Sequence, residues 1–322
     1  MREVSKKEIE EVILKNYIEY QYFFVEFQSK FLTGLNHRYQ GLDNGNLVLY
    51  YARQIHQDIL RKKDYDLNFN ISFEKFWENH RETNPQRISI INIGKYTFLP
   101  KETARRKILY LIKKKVLNKK NKSISWMPSD QYKKNYNLFI NVEIDGICQL
   151  ISFINEKINL SVPREKLKYE IKNNFSFYWF HYLEVQLEYL KIWSKRLGDL
   201  ELGLIFLQVA HLFTSKAKEK NLSHKELYDK PVLFKEFINA SISATSIAEV
   251  TGIPRATCVR KLEFLVKLKA ISQDKISKRY YIIPSVTSDD LISRKITNEV
   301  VRSFSNFFFI CLRAVNAKTL NQ

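Results

Sequence analysis

Two short segments of the chain concentrate lysine and arginine. Residues 101–122 hold ten basic residues and one acidic residue, and residues 254–279 hold eight basic and two acidic residues. Together they carry +15 of the net charge of +19 of a 322-residue chain. Charge focused in this way suits the neutralisation of phosphates with release of counterions, whereas a merely soluble basic protein spreads its charge. The charge pattern predicts a polyanionic partner.

Both basic segments lie in a sequence that occurs twice. Residues 92–117 align without gaps on residues 246–271, at an offset of 154. Most of the aligned positions that differ carry chemically similar residues in the two copies. The identical pairs are Ile93/Ile247, Thr97/Thr251, Pro100/Pro254, Thr103/Thr257, Arg106/Arg260, Lys107/Lys261, Leu111/Leu265, Lys113/Lys267 and Lys115/Lys269. This self-similarity predicts an internal duplication.

Each copy predicts two short helices joined by a tight turn and followed by a hairpin. In the second copy, Gly252 is expected to end the first helix in a left-handed cap, and Pro254 to start the next helix. Phe98 stands at the position of that glycine in the first copy, which predicts a less favourable left-handed residue or a looser turn. Alternating residues in 118–129 and 272–285 predict a β-hairpin after each copy.

Apolar residues at helical spacing surround both copies and predict a mainly α fold with small β-hairpins. The breakpoint is expected near residues 159–163, which divides the chain into halves 1–160 and 161–322. The predicted helices cover residues 4–30, 47–60, 73–80 and 139–158 in the first half, and 175–197, 200–213, 231–238 and 289–315 in the second.

The stretch from Ser246 to Leu265 resembles bacterial winged helix-turn-helix transcriptional regulators. Its pattern of residues is similar to that of the multiple-antibiotic-resistance and isocitrate-lyase regulator families. The resemblance implies winged units at about 73–129 and 230–285, with the second helix in the major groove of double-stranded DNA and the hairpin wing on the backbone or minor groove. It also implies sequence-specific transcriptional regulation by a fused pseudo-dimer, whose half-sites would lie about 34 Å apart.

Arg106 and Arg260 are the best candidates for reading bases, because a guanidinium can bind guanine through two hydrogen bonds. Many such arginines contact only phosphate, so that alternative stays open. The complete set of expected DNA contacts is Lys101, Thr103, Arg106, Lys107, Tyr110, Lys114, Lys119, Lys120, Lys122, Arg255, Ala256, Thr257, Arg260, Lys261, Phe264, Lys267, Lys275, Lys278 and Arg279. The two copies differ at Glu102/Ala256 and Tyr110/Phe264, which predicts related but non-identical half-sites.

Two other functions fit the same pattern. A plasmid-type replication initiator also carries two winged units on one chain and would bind repeated sites at an origin. A winged-helix protein-interaction or chromosome-architecture protein is the other alternative, although it needs no phosphate-facing charge.

Other classes of site are not indicated by the sequence. It has no phosphate-binding loop, no G-x-S-x-G and no clustered metal ligands, so we expect no enzymatic activity, cofactor or metal. Three dispersed cysteines fit a reducing cytosol, and the longest unbroken apolar runs are too short to span a membrane. We therefore expect a cytoplasmic, nucleoid-associated protein. The apolar last helix either packs internally or forms a homodimer, and any small-molecule effector stays unknown.

Overall fold

The computed structural model describes residues 4–83, 90–121, 123–160, 162–222, 234–282 and 294–319. This part of the chain is mainly helical, as the sequence predicts. The helices are α1 (Lys6–Lys15), α2 (Tyr17–Tyr39), α3 (Leu42–Tyr65), α4 (Phe76–Arg81), α5 (Ile90–Thr97), α6 (Lys101–Lys113), α7 (Asp130–Lys157), α8 (Arg164–Asn173), α9 (Phe175–Leu197), α10 (Leu200–Glu219), α11 (Phe234–Asn239), α12 (Ala244–Thr251), α13 (Arg255–Lys267) and α14 (Arg294–Thr319).

Two small antiparallel sheets complete the secondary structure of the described residues. Strands β1 (Leu117–Lys120) and β2 (Ser123–Trp126) form the first hairpin, with Leu117 opposite Trp126. Strands β3 (Ser272–Gln273) and β4 (Tyr280–Tyr281) form the second, with Ser272 opposite Tyr281. Both hairpins lie where the sequence predicts them; residues 283–285 of the second prediction lie outside the described residues.

The chain folds into two compact units, each assembled from stretches that are distant in sequence. Unit 1 comprises Met1–Ile9, Asp43–Lys191 and Ser303–Gln322, and unit 2 comprises Glu10–Leu42 and Ile192–Arg302. The units are composed differently from the expected halves 1–160 and 161–322. Each unit nevertheless contains one of the two predicted winged segments.

An aromatic cluster in the core of unit 1 surrounds Phe76 of α4. The Phe76 ring stacks on His56 of α3, with 4.7 Å between ring centroids, and meets the edge of Phe175 at 5.3 Å. His80, about one turn further on, forms a hydrogen bond through Nε2 with the Trp126 carbonyl at 3.0 Å. These contacts attach the β1–β2 hairpin to the helical core.

The last helix contributes its C-terminal part to unit 1. Phe304, Phe307, Phe308 and Leu312 are all at most 3% exposed. The apolar face that the sequence analysis assigned to internal packing or dimerisation is therefore covered within the chain.

Helix α2 packs along α10 in unit 2. Gln208 of α10 donates a hydrogen bond from Nε2 to Ser29 Oγ of α2 at 2.9 Å. Asn36, near the end of α2, donates from Nδ2 to the Thr251 carbonyl at 2.9 Å. A helix from the start of the chain thus supports the second repeated segment.

The repeated segments have matching bounds. Helices α5 and α12 end 154 residues apart, and helices α6 and α13 both begin and end 154 residues apart. The positive-φ residues Lys115 and Lys269, which follow α6 and α13, have the same φ of 57° and are also 154 residues apart.

Helix α7 is long and apolar enough to cross a membrane, with a mean hydropathy of 1.3 over 18 residues, half of them buried. The core helices of soluble proteins also meet this criterion, so length and composition alone do not distinguish a membrane span from a core helix. Glu143 of α7 is buried and accepts a hydrogen bond from Tyr182 Oη. Polar residues are interspersed among the apolar ones along α7, so the helix contains no long unbroken apolar run.

Candidate nucleic-acid interface

A left-handed residue forms the turn in each repeated segment. Gly252 has φ 73° and its N–H donates to the Ala248 carbonyl at 2.9 Å. Phe98 has φ 58° and its N–H donates to the Gly94 carbonyl at 2.9 Å. Of the two alternatives that the sequence left open for the first turn, the structure has the left-handed phenylalanine. A residue with a side chain is strained in this conformation. The first turn therefore costs conformational free energy at Phe98, and the second turn avoids this cost because it has Gly252.

Hydrogen bonds fix the end of the helix before each turn. Thr97 and Thr251 each donate from Oγ1 to the carbonyl four residues earlier, at 2.8 and 2.6 Å. The Thr97 carbonyl accepts from Asn46 Nδ2 at 3.1 Å, as the Thr251 carbonyl accepts from Asn36. His37 also bonds the Val250 carbonyl through Nε2 at 3.1 Å. Both turns are therefore held by an asparagine of a long helix in the same unit.

Helix α6 buries one side and exposes a basic one. Ala104, Ile108 and Leu111 are at most 3% exposed and form its buried side. The expected contacts Lys101, Arg106 and Lys114 are exposed, while Thr103, Lys107 and Tyr110 are half-buried. Lys114 Nζ lies 5.8 Å from the centroid of the Tyr110 ring.

Helix α13 repeats this arrangement in unit 2. Cys258, Leu262 and Leu265 are fully buried. Thr257 is half-buried, and the other expected contacts on this helix, apart from Lys261, are exposed: Arg255, Ala256, Arg260, Phe264 and Lys267. Arg255 Nε donates to Thr245 Oγ1 at 3.1 Å. A basic surface with an exposed aromatic ring follows the helix.

The prediction that Lys261 faces DNA is wrong. Its side chain is only 9% exposed and pairs with Asp199 and with Glu201, whose Oε2 is 3.0 Å away. Both acids lie at the N-terminus of α10, where Asp199 also caps the helix by accepting from the Glu201 N–H at 2.8 Å. A buried ammonium needs such compensation, so this lysine ties α13 to α10.

Lys107 occupies the matching position in unit 1. Its Nζ lies 3.3 Å from Asp43 Oδ2, in the first turn of α3, and its side chain is 24% exposed. The lysine is therefore shared between an internal ion pair and the surface. Helical periodicity places both lysines on the outer face of their helices. It gives no sign of the ion pairs, because the acidic partners are distant in sequence.

The hairpins expose most of the remaining expected contacts. Lys119 and Lys120 are exposed in the first hairpin, and Lys275, Lys278 and Arg279 in the second. Lys122 lies outside the described residues. Each described hairpin residue of the predicted set is thus accessible to a large partner.

The expected contact set omits several exposed residues of the two basic segments, among them the basic residues Lys113, Lys115 and Lys269. Arg105 is exposed on α6 beside Arg106, 3.7 Å from Glu102, and Leu109 is 55% exposed on the same helix. Ile276 is 93% exposed between Lys275 and Lys278. The basic count of the first segment already included Arg105, but nothing in the helical pattern distinguishes an exposed leucine or isoleucine from a core residue.

Unit 1 also contains a cavity of about 270 Å³ between α3, α5, α9 and α14. Its charged groups are paired: Arg53 with Glu184 at 2.6 Å, and Lys191 with Glu188 at 2.8 Å. Burial lowers the pKa of His181 in its wall, against the opposing effect of Glu184. Among the described residues, no three His, Cys, Asp or Glu side chains are grouped to hold a metal ion.

Comparison with known proteins gives no match to this chain: no protein-family profile, curated protein or solved structure is significantly similar to it.

Proposed function

We propose that this protein is a sequence-specific regulator of transcription that binds double-stranded DNA through two winged helix-turn-helix units on one chain. Helices α6 and α13 are the reading helices, and the two hairpins are the wings. The observation that carries the proposal is the paired set of helix, left-handed turn, basic helix and hairpin, in which the turns and the basic helices lie at an offset of 154 residues.

The repetition of small structural details supports an internally duplicated DNA-binding unit. The left-handed turn, the threonine hydrogen bond before it and the lysine–carboxylate pair behind the second helix all occur in both units. The left-handed turn sets the angle between the two short helices of each repeat, and the lysine–carboxylate pair connects the second of them to a long helix of its unit. A reading helix needs such support, because base contacts depend on how its outer face is presented to the groove.

The distribution of charge supports DNA rather than a protein partner. The lysines and arginines of α6, α13 and the hairpins are mostly exposed, whereas the inward-facing Lys261 is neutralised by two acids. Internal charges are thus compensated and outer charges are left to solvent. Phosphate contacts require outer charges that are free to meet the DNA backbone. A protein-interaction module has no need of such charges.

Equilibrium binding to a duplex selected from random sequence, measured over a salt series, tests this proposal. Arg106→Ala and Arg260→Ala should each lower affinity about tenfold or more, since a bidentate arginine–guanine contact contributes about 1–3 kcal/mol of discrimination. The control is Lys30→Ala, which removes a 65% exposed lysine of α2 outside both basic segments. Salt-dependent binding without sequence preference, or no binding, would contradict the proposal.

A further inference from the structure

The tip of the β3–β4 hairpin combines an exposed aliphatic side chain with positive charge. Ile276 is 93% exposed at the apex, and Lys275, Lys278 and Arg279 around it are exposed as well. A β-branched side chain has few rotamers, so little conformational freedom is lost when it is inserted into a partner. An isoleucine held out in this way is suited to burial in an apolar slot with anionic surroundings.

Hydrogen bonds hold this tip in one shape. Asp274 Oδ2 accepts from the Ser277 N–H at 2.6 Å, and the Asp274 carbonyl accepts from the Lys278 N–H at 3.0 Å. The Asp274 N–H donates to the Arg279 carbonyl at 2.9 Å. Hydrogen bonds from Ser277 also lower the pKa of the Asp274 carboxyl, which keeps the acceptor ionised. The apex is therefore preorganised.

The base of the hairpin is anchored in unit 2. Tyr280 is buried and exchanges two backbone hydrogen bonds with Ile242, at 2.9 and 2.8 Å. Strand β4 also contacts α10. A force on the tip is thus transmitted to the core of the unit, as a wedge requires.

We propose that Ile276 is a wedge that enters the minor groove of the bound duplex and kinks it, while Lys275, Lys278 and Arg279 hold the phosphates on either side. This inference rests on the proposed function. Stacked bases between two rows of phosphates provide the apolar slot and the anionic rim that the tip matches, and aliphatic wedges inserted at a base step bend DNA towards the major groove.

The sequence of the first hairpin offers no such aliphatic residue. Its strands pair from Leu117–Trp126 to Lys120–Ser123, and the two positions between them in the sequence, 121 and 122, are asparagine and lysine. The bend should therefore occur on one side of the binding site only, next to the half-site read by α13.

The test uses the full chain and a selected duplex labelled at its ends for resonance energy transfer, with 2-aminopurine beside the half-site read by α13. Binding of the wild type should shorten the end-to-end distance and raise the 2-aminopurine fluorescence. Ile276→Ser should abolish both signals and lower affinity about tenfold, and Ile276→Leu should retain them. Lys275→Ser is the matched control: it should weaken binding and reduce its salt dependence but leave the bend in place. An unchanged melting temperature checks that each variant is folded.

A complex that forms but stays straight, or one that Ile276→Ser bends as the wild type does, overturns the wedge and leaves the proposed function standing. Failure to bind any duplex at low salt overturns both. Binding to vesicles of anionic phospholipid is measured as well, for the wild type and for Ile276→Ser. If Ile276→Ser removes vesicle binding while the DNA complex is unaffected, the tip is a membrane contact and the wedge is overturned.

Discussion

Lys261 demonstrates at the residue scale how one side chain changes role with its partners. It is identical in type to Lys107 in the aligned copy and lies on a basic helix, yet it is buried against Asp199 and Glu201. Its contribution is to the stability of unit 2. The distinction between this lysine and its exposed neighbour Lys267 gives a direct test.

Lys261→Met should lower the free energy of unfolding by about 1–3 kcal/mol, because it leaves two partly exposed carboxylates without their cation. Lys267→Met, on the exposed side of the same helix, should change stability by less than about 0.5 kcal/mol and weaken DNA binding instead. Urea unfolding and duplex titration of both variants measure the two effects. Equal loss of stability in the two variants would contradict the assignment.

His56 is the histidine with the largest pKa shift in the described part of the chain, and it should make stability depend on pH. It is fully buried against Phe76 and Phe175, and within the described part of the chain neither ring nitrogen has a hydrogen-bond partner. Burial, with a smaller contribution from the nearby His80, lowers its pKa to about 3. Below pH 6.5 the unfolded chain therefore takes up a proton that the folded chain refuses until the pH nears 3.

The free energy of unfolding should accordingly fall as the pH drops below 6.5. His56→Phe keeps an aromatic ring in the cluster and removes the titrating group. Between pH 7 and pH 5 the wild type should lose about 2 kcal/mol more than this variant, since one pKa unit corresponds to about 1.4 kcal/mol. Urea unfolding at the two pH values measures the difference; parallel losses would show that His56 does not titrate in this range.

At the scale of the element, the two turns have one geometry and different residues. Gly252 has φ 73°, and a β-carbon built on it would lie 2.6 Å from His37 Cε1. Phe98 has φ 58° and is 43% exposed. Substitutions in the two turns should therefore have opposite effects.

Gly252→Ala should destabilise the protein by about 1–2 kcal/mol, through left-handed strain and displacement of the His37 ring. Phe98→Gly should stabilise the protein by up to about 1 kcal/mol, because it relieves the left-handed strain. The packing of the phenyl ring, which this substitution removes, reduces the gain. Thermal unfolding of both variants provides the comparison. Destabilisation by both substitutions would mean that strain is not what distinguishes the turns.

Local patterns predict the repeated elements well. The left-handed turn follows from Gly252, the buried stripe from the spacing of Cys258, Leu262 and Leu265, and α9 has the predicted bounds of 175–197. Helix α8 was not predicted, because Pro163 interrupts the apolar pattern and instead caps a new helix. The ion pair of Lys261 could not be predicted either, since it depends on long-range packing.

At the scale of the whole molecule, the compact units draw on both sequence halves. Unit 2 includes α2 from the first half, and unit 1 includes most of α9 and the end of α14 from the second. A division near residue 160 follows the repeat in the sequence but separates helices that share a core. Periodicity reveals which face of a helix is apolar and leaves open which helix covers it.

Fragments 1–160 and 161–322 should consequently not fold when expressed separately. The second fragment lacks α2, so the apolar face of α10 would be exposed to solvent. We expect each fragment alone to aggregate and the two together to assemble, as judged by solubility and by a cooperative melting transition. A cooperative transition of either fragment alone would contradict this view of the units.

The central claim is that one chain reads two related half-sites with α6 and α13, and hydroxyl-radical footprinting on a selected duplex tests it most directly. The wild type should protect two similar but non-identical half-sites. Arg106→Ala should lose protection over one half-site and Arg260→Ala over the other. A single footprint that neither substitution divides, or a perfectly palindromic site, would contradict the claim.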